Sequence, residues 1–132
     1  MKTIIAFFAF VLVCSQAQMG GWTQIDPTEV RYDNTWNQYL YIGLNKAVEK
    51  AYQSGVLRST SVLLDTVYSA KFQVVNGVNI HFIVGVIDLA SLTYHGVEFT
   101  VYVSPSSKDV SLQSYNFTYP VDDYFDYEFR TV

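Results

Sequence analysis

The sequence contains a single cysteine, Cys14, and only three prolines in 132 residues. Cys14 lies in an apolar amino-terminal segment that we expect to be removed, so the remaining chain would form no internal disulfide. Charged residues are also few, at 15%, and no cluster of basic residues occurs. These absences argue against a disulfide scaffold and a nucleic-acid partner. The fold must be held together by packing, for which an aromatic content of 17% is well suited.

The first 17 residues have the pattern of a secretory signal peptide. Lys2 is followed by an apolar run at 4–13 and then by Ser15-Gln16-Ala17, with small residues at both positions that signal peptidase recognises. The run is too short to span a bilayer by itself. We therefore expect cleavage after Ala17 and secretion to the extracellular space or the endolysosomal lumen. We expect no membrane attachment afterwards.

Removing 17 of 132 residues leaves 115, which is enough for one domain with a modest core. We expect this domain to span residues 18–118. Loss of Lys2 reduces the basic residues from 8 to 7 against 12 acidic ones, so the net charge falls from −4 to −5. Residues 119–132 form an acidic-aromatic extension, which we expect to be a solvated or loosely docked tail. Binding of a partner by this tail is the alternative.

A single helix is predicted between residues 26 and 53. Asp26 has the place of an amino-terminal cap, Pro27 stands at the first helical position, and Gly55 is placed to end the helix in a left-handed conformation. Steps of three and four between apolar residues predict one buried face. That face comprises Trp36, Leu40, Leu44, Ala47, Val48, Ala51 and Tyr52.

The rest of the chain is rich in β-forming residues. A short strand at 22–25 precedes the helix, and segments 62–72, 78–86, 97–103 and 110–113 follow it with alternating or continuous apolar residues. Turns are expected around 88–96 and at 105–109. Consecutive strands joined by short turns make an antiparallel meander, and one helix covering one of its faces gives an α+β domain.

The stretch Gln73-Val74-Val75-Asn76-Gly77 separates two of these strands. Asn76-Gly77 is a strong hairpin signal, because both residues accept the positive φ angles of a tight primed turn. Gln73, Val74 and Val75 would then be directed towards solvent. Apolar residues at a rigid loop tip indicate a contact surface for a partner. The alternative is that Val74 and Val75 simply finish a strand.

Every second turn of a meander lies at the same end of the sheet. The Asn76-Gly77 turn and the turn that begins at Pro105 are therefore predicted to lie at one end, close to Gly20-Gly21. Three segments that are distant in sequence would then form one edge.

These features resemble, in this order, the cystatin family of cysteine-protease inhibitors. The resemblance rests on Gly20-Gly21-Trp22, the following helix, Gln73 to Gly77 in the form Q-x-V-x-G, and Pro105 after a strand. It implies a five-stranded antiparallel meander sheet around one long helix. It also implies a reversible inhibitor whose three-part wedge fills the cleft of papain-like, cathepsin-type proteases. The protease contacts would be Met19, Gly20, Gly21, Gln73, Val74, Val75, Asn76, Gly77, Pro105 and Ser106.

Such an inhibitor is expected to be a monomer without a cofactor. Three features of the sequence depart from the family pattern. The family usually has tryptophan after the proline of the second loop, where this chain has Ser106. Secreted members usually carry two disulfides, which this chain cannot form. The asparagine with which they block asparaginyl endopeptidases is not recognisable in Arg58-Ser59-Thr60-Ser61. A non-inhibitory extracellular binding or structural protein with the cystatin fold is therefore the alternative.

Enzymatic activity is not expected from this sequence. His81 and His95 are the only histidines, and neither has a metal-ligand spacing around it. His81 is predicted to lie on the surface and His95-Gly96 to lie in a turn.

Asn116-Phe117-Thr118 is a sequon for N-glycosylation, so Asn116 is a candidate site in a secreted protein.

Overall fold

The computed structural model describes residues 21–118, so the predicted signal peptide at 1–17, Met19, Gly20 and the extension at 119–132 lie outside the described range. The described chain forms five strands and two helices. In chain order they are β1 (Thr23–Ile25), α1 (Pro27–Tyr32), α2 (Asn34–Gln53), β2 (Val62–Val75), β3 (Gly77–Asp88), β4 (Thr93–Val103) and β5 (Val110–Phe117).

The five strands form one antiparallel sheet in the order β1-β2-β3-β4-β5, which confirms the predicted meander. The turn predicted around residues 88–96 is shorter than expected. β4 already begins at Thr93, and its first residues continue the ladder with β3, as in the pair of Tyr94 and Ile87. The connection that remains is residues 89–92. Cross-strand pairing therefore overrode the turn signals that Asp88 and Gly96 carry in the sequence.

The helical region consists of two helices instead of the single one predicted. Asp33 separates them with an extended backbone, at φ −86° and ψ 122°. Its N–H donates to the carbonyl of Glu29 at 2.6 Å, and its carboxylate accepts from the N–H of Thr35 at 2.8 Å. Aspartate therefore ends α1 and caps α2, because its short side chain can satisfy an orphan N–H at a helix start. Neither of these described helices is long and apolar enough to cross a membrane.

The core lies between α2 and the inner face of the sheet. Leu40, Leu44 and Val48 of α2 are buried, as the spacing predicted, but Tyr52 is 49% exposed. Each four-residue step advances 400° around a helix, so a row of such steps drifts by about 40° per step. Tyr52 is thus about 120° away from Leu40 and lies outside the buried stripe.

Two basic side chains from the helices reach the edges of the sheet. Arg31 of α1 donates to the carbonyls of Asp65 at 2.8 Å and Leu64 at 3.4 Å, on the part of β2 that the short β1 leaves uncovered. Lys46 of α2 donates to the carbonyl of Val110 at the start of β5, at 2.9 Å. Unpaired strand carbonyls invite pairing with another chain. These contacts satisfy part of both edges from within the same chain.

Candidate functional site

The amino-terminal segment and two turns of the sheet lie at one end of the molecule. The start of β1 pairs with the end of β2, with Thr23 opposite Phe72. β2 turns directly into β3, and the start of β3 pairs with the end of β4, with Val78 opposite Val103. The antiparallel order therefore brings the amino-terminal segment, the β2–β3 turn and the β4–β5 turn to a common edge.

We call this edge the loop end of the sheet and define it by residues 21–22, 73–77 and 104–109. It contains every predicted protease-contact residue that lies in the described range. Met19 and Gly20 are outside that range, so their positions relative to the loop end remain predictions.

The β2–β3 turn is tighter than the sequence predicted. Val75 pairs directly with Gly77, and only Gly77 has a positive φ, at +113°, whereas the primed turn expected from Asn76-Gly77 needs two such residues. A Cβ atom on Gly77 would lie 2.6 Å from the carbonyl oxygen of Val103 and 2.7 Å from the ring of Tyr102. Glycine is therefore required at this position both by the backbone conformation and by the close approach of β4.

The two valines before the turn face opposite sides of the sheet. Both belong to β2, as the alternative interpretation held. Val74 packs partly buried against the core, which contradicts its predicted exposure, while Val75 is 39% exposed. Successive side chains of a strand alternate between the two faces, so one of the two had to point inward. Gln73, also on the outward side, accepts a hydrogen bond from the amide of Asn79 at 3.3 Å.

Tyr102 joins the β2–β3 turn to the end of β4, a contact that was not predicted from the sequence. Its hydroxyl donates to the carbonyl of Asn76, and its ring lies beside Gly77. Tyr102 stands two residues before Ser104, where the second turn begins. The signal that could have identified it is the alternation of Val101, Tyr102 and Val103, which places an aromatic ring with a polar tip on the outer face near the turn.

The second turn, residues 104–109, is closed by its own backbone. The N–H of Ser104 donates to the carbonyl of Asp109 at 3.0 Å, and the N–H of Lys108 donates to the carbonyl of Ser104 at 3.1 Å. Lys108 has a φ of +59°. Pro105 is half-buried and Ser106 is exposed at the tip. The loop therefore presents a fixed backbone with a small polar side chain at its tip.

The amino-terminal segment enters the loop end at Gly21 and Trp22. Trp22 is 42% exposed and lies on the outer face of the sheet. The ammonium of Lys71 is 4.9 Å from the centre of its ring, and the ring of His81 meets it edge-on at 6.2 Å.

His81 has charged neighbours on both adjoining strands. Its Nε2 is 2.8 Å from a carboxylate oxygen of Glu98 on β4, and Lys71 lies directly opposite it on β2. Partial burial lowers the pKa of His81 below 6.5, and the charge of Lys71 lowers it further, although Glu98 acts in the other direction. The neutral imidazole is thus favoured at neutral pH.

The opposite end of the sheet is closed by a buried carboxylate. Asp88 is 1% exposed and accepts from the N–H of Arg58 and the N–H of Ala90, both at 3.0 Å, and from the hydroxyl of Ser59 at 3.2 Å. The cluster ties the segment after α2 to the end of β3. Burial by itself would raise the pKa of Asp88, but the backbone and hydroxyl donors outweigh it and hold the pKa below 3.8.

Replacing Asp88 should destabilise the fold and change its response to acid. Because the folded pKa is depressed, the ionised carboxylate contributes stability above its unfolded pKa, and this contribution is lost as pH falls below about 4 towards the folded pKa. Asp88→Asn is expected to cost about 1 to 3 kcal/mol at pH 7. The unfolding free energy of Asp88→Asn, measured by urea denaturation, should also decrease less between pH 5 and pH 2 than that of the parent. Ser59→Ala, which removes a single hydrogen-bond donor to Asp88, should have a smaller effect. Equal pH profiles for Asp88→Asn and the parent would contradict a stabilising role of the ionised Asp88 carboxylate.

His95 is buried at 1% exposure within β4, so its predicted position in a turn was wrong. Its Nε2 is 3.0 Å from the hydroxyl of Thr93, and its Nδ1 is 3.4 Å from the carbonyl of Thr118. Both ring nitrogens thus have partners. Within residues 21–118, no group of three histidine, cysteine or acidic side chains is arranged to hold a metal ion.

The sequon lies on the edge strand β5. Asn116 is exposed. The hydroxyl of Thr118 accepts from the N–H of Gly96 at 2.9 Å, and the backbone N–H of Thr118 donates to the carbonyl of Gly96 at 2.9 Å. Glycosylation of Asn116 stays a prediction, and the exposure of the side chain is compatible with a glycan there.

A five-stranded antiparallel meander with helices packed on one face is the cystatin-like fold, as the resemblance implied. Among solved structures the chain is similar to the salivary cystatin of the soft tick Ornithodoros moubata. The two share 21% identity and a TM-score of 0.52, over 77% of this chain and 100% of the tick protein. At that level of identity the likeness shows the fold. Comparisons with protein-family models and with curated proteins found no match.

Proposed function

We propose that this protein is a secreted, reversible inhibitor of papain-like, cathepsin-type cysteine proteases. The observation that carries the proposal is the loop end itself, where strand pairing brings residues 21–22, 73–77 and 104–109 to one edge of the sheet. An edge formed by three neighbouring segments can fill the length of a protease cleft. The inhibitor would act by filling the cleft and excluding water, so it would be a binding protein and not an enzyme.

The rigidity of the two turns supports this proposal. Gly77 at the start of β3 is closely packed against β4, and the hydroxyl of Tyr102 donates to the carbonyl of Asn76. The second turn closes on the backbone of Ser104. Binding a preformed surface avoids the cost of ordering loops. Val75 then offers an exposed apolar side chain on a tip that cannot collapse onto the core.

The similar tick protein is a salivary cystatin, and its name supports both parts of the proposal. A salivary protein is exported from the cell, in line with the signal-peptide pattern of residues 1–17. A cystatin inhibits cysteine proteases, in line with the Q-x-V-x-G pattern at residues 73–77. We infer that the mature chain begins at Gln18 and acts as a monomer.

A non-inhibitory extracellular binding protein is the second candidate, and one observation favours it. Ser106 occupies the exposed tip of the second turn, where a large aromatic side chain would supply a buried anchor. Without that anchor the loop end can still be a recognition surface, but for a partner other than a protease cleft.

Titration of papain and of a cathepsin L-like protease with residues 18–132 separates the two candidates. Reversible inhibition at or below micromolar concentration is expected, and Val75→Asp should weaken it by about tenfold or more, because a charge would be buried at the interface. Leu92→Asp is the matched control, since Leu92 is an exposed apolar residue in the turn at the opposite end. Absence of inhibition by the parent at micromolar concentration would support the second candidate.

A further inference from the structure

In the part of the chain that the structure describes, most of β2 has no neighbouring strand on the side of β1. Strand β1 pairs only with Ala70, Lys71 and Phe72 of β2. We call the stretch before these residues, 62–69, the open edge of β2. Backbone N–H and C=O groups on such an edge can pair with a strand of another chain. The open edge is therefore a place where a second copy of this protein could add to the sheet.

Two bulges make the open edge irregular. The register with β3 shifts between Leu64 and Thr66 and again between Val67 and Ser69, and each shift places one extra residue in β2. A bulge interrupts the regular spacing of backbone groups that a partner strand needs. The bulges thus hinder pairing along the open edge, but they do not cover its backbone groups.

The guanidinium of Arg31 covers the backbone at the first bulge. Its Nη1 donates to the carbonyl of Asp65 at 2.8 Å, and its Nη2 donates to the carbonyl of Leu64 at 3.4 Å. A cavity of about 310 Å³ remains beside it, lined in part by Tyr32 and Thr66. Helix α1 therefore leaves space along the open edge, and the Arg31 side chain crosses that space. A partner strand would have to displace this charged group from its hydrogen bonds.

The break in the helical region at Asp33 brings Arg31 to the open edge. The backbone of α1 lies next to β2, whereas that of α2 lies next to β4 and β5. The end of α1 is held by the side-chain amide of Asn37, which donates to the carbonyl of Arg31 at 3.0 Å, and by Val30, which is fully buried. The two helices thus have different partners in the sheet, and the shorter one carries the cation that meets β2.

We propose that Arg31 keeps the protein monomeric by occupying the open edge of β2, and that its removal lets two copies pair along this edge. Two such edges can pair antiparallel about a twofold axis, because the same surface then serves both copies. In the parent, pairing would break both hydrogen bonds of Arg31 in each copy and bring two guanidinium groups together. Neither cost exists without the guanidinium. The inference does not depend on the proposed inhibitory function, since the oligomeric state is measured without a protease.

The first test compares the parent and Arg31→Met by sedimentation equilibrium of residues 18–132. Methionine keeps an unbranched apolar stem that can pack beside α1, but it cannot donate to a carbonyl. Arg31→Met is expected to dimerise with a dissociation constant of about 10 to 100 µM, a weak affinity that suits a small interface. The parent should remain monomeric over the same concentrations. A monomeric Arg31→Met over this range would overturn the proposal.

Arg58→Met is the matched control. Arg58 is an exposed arginine in the segment before β2, and its backbone N–H, which the substitution keeps, donates to Asp88. The variant loses the same charge without a change at the open edge, so it should stay monomeric. Thermal unfolding by circular dichroism shows that both variants are folded. Equal dimerisation of Arg58→Met would overturn the proposal, because loss of charge alone would then explain the association.

Two further measurements locate the contact. Thr66 lines the same cavity as Arg31, so Thr66→Lys in the Arg31→Met background returns a cation to the open edge. Charged side chains on an edge strand oppose pairing, so this double variant should dimerise about tenfold more weakly or not at all. Amide hydrogen exchange of Arg31→Met should slow at residues 62–69 as its concentration rises, and stay constant in β5 at the other edge of the sheet. Dimerisation that Thr66→Lys does not weaken, or protection that appears only outside 62–69, would overturn the proposal.

Discussion

Gly77→Ala is expected to destabilise the protein by about 2 to 4 kcal/mol and to raise the inhibition constant for papain by about tenfold or more. Two costs combine at this position. The φ of +113° is unfavourable for any side chain, and the new Cβ would lie 2.6 Å from the carbonyl oxygen of Val103. Relief of that overlap requires the first turn to move away from β4. The hydrogen bond from Tyr102 to Asn76 would then be lost, and both turns of the loop end would be displaced.

Gly55→Ala is the matched control for this substitution. Gly55 also has a positive φ, at +83°, but a Cβ there meets no atom within 4 Å. It should therefore show only the conformational cost, about 1 to 2 kcal/mol, and unchanged inhibition. Thermal unfolding followed by circular dichroism, together with papain titration, measures both effects. Equal behaviour of the two variants would mean that the contact between the turn and β4 is unimportant.

Ser106→Trp is expected to tighten inhibition by about 20- to 30-fold. Ser106 is exposed at the tip of a turn whose backbone is closed by hydrogen bonds between Ser104, Lys108 and Asp109, so a larger side chain can be accommodated without rearrangement. A buried tryptophan anchor contributes about 2 kcal/mol in many interfaces, and each 1.4 kcal/mol corresponds to a tenfold change in affinity. The measurement is the inhibition constant against papain.

The neighbouring position provides the control for this second substitution. Ser107→Trp adds the same side chain to the same exposed turn, one residue further from Pro105. It should tighten inhibition by less than threefold if the proline and the residue after it form the contact. An unchanged or higher inhibition constant for Ser106→Trp would count against the second turn as part of the protease-binding edge.

The amino-acid sequence predicted the strands well where side-chain alternation was strong. The alternate residues of both strands are buried on the inner face as the pattern required, namely Val78, Ile80, Phe82, Val84 and Val86 of β3 and Val97, Phe99, Val101 and Val103 of β4. Prediction failed where local signals competed with tertiary pairing. His95-Gly96 has the composition of a turn, but pairing with β3 extends β4 through it, because ladder hydrogen bonds and burial outweigh local preference.

The helix shows a different kind of failure. The predicted apolar face begins only at Trp36, so periodicity gave no information on whether residues 26–35 continue the same helix. Asp33 does so because its backbone and carboxylate satisfy groups of both helices. A second capping residue, Asp33, shortly before the apolar face is a signal that could have indicated the break.

For the candidate site, the turns were predictable and the contacts between them were not. The Asn76-Gly77 turn and the turn that begins at Pro105 could be assigned to one end from strand order alone, although Gln73, Val74 and Val75 belong to β2. The hydrogen bond from Tyr102 to Asn76 depends on which side chains the twisted sheet brings together. So does the placement of Lys71 beside Trp22.

The sequence by itself determined the α+β class, the strand order and the end of the sheet at which the turns meet, because alternation and short connections leave few other topologies. The tertiary structure decided that two helices replace one, that Val74 faces inward, and that Tyr102 and Trp22 fasten the loop end to the sheet. The contacts of Tyr102 and Trp22 depend on distances between residues far apart in the chain, and no local pattern encodes such distances.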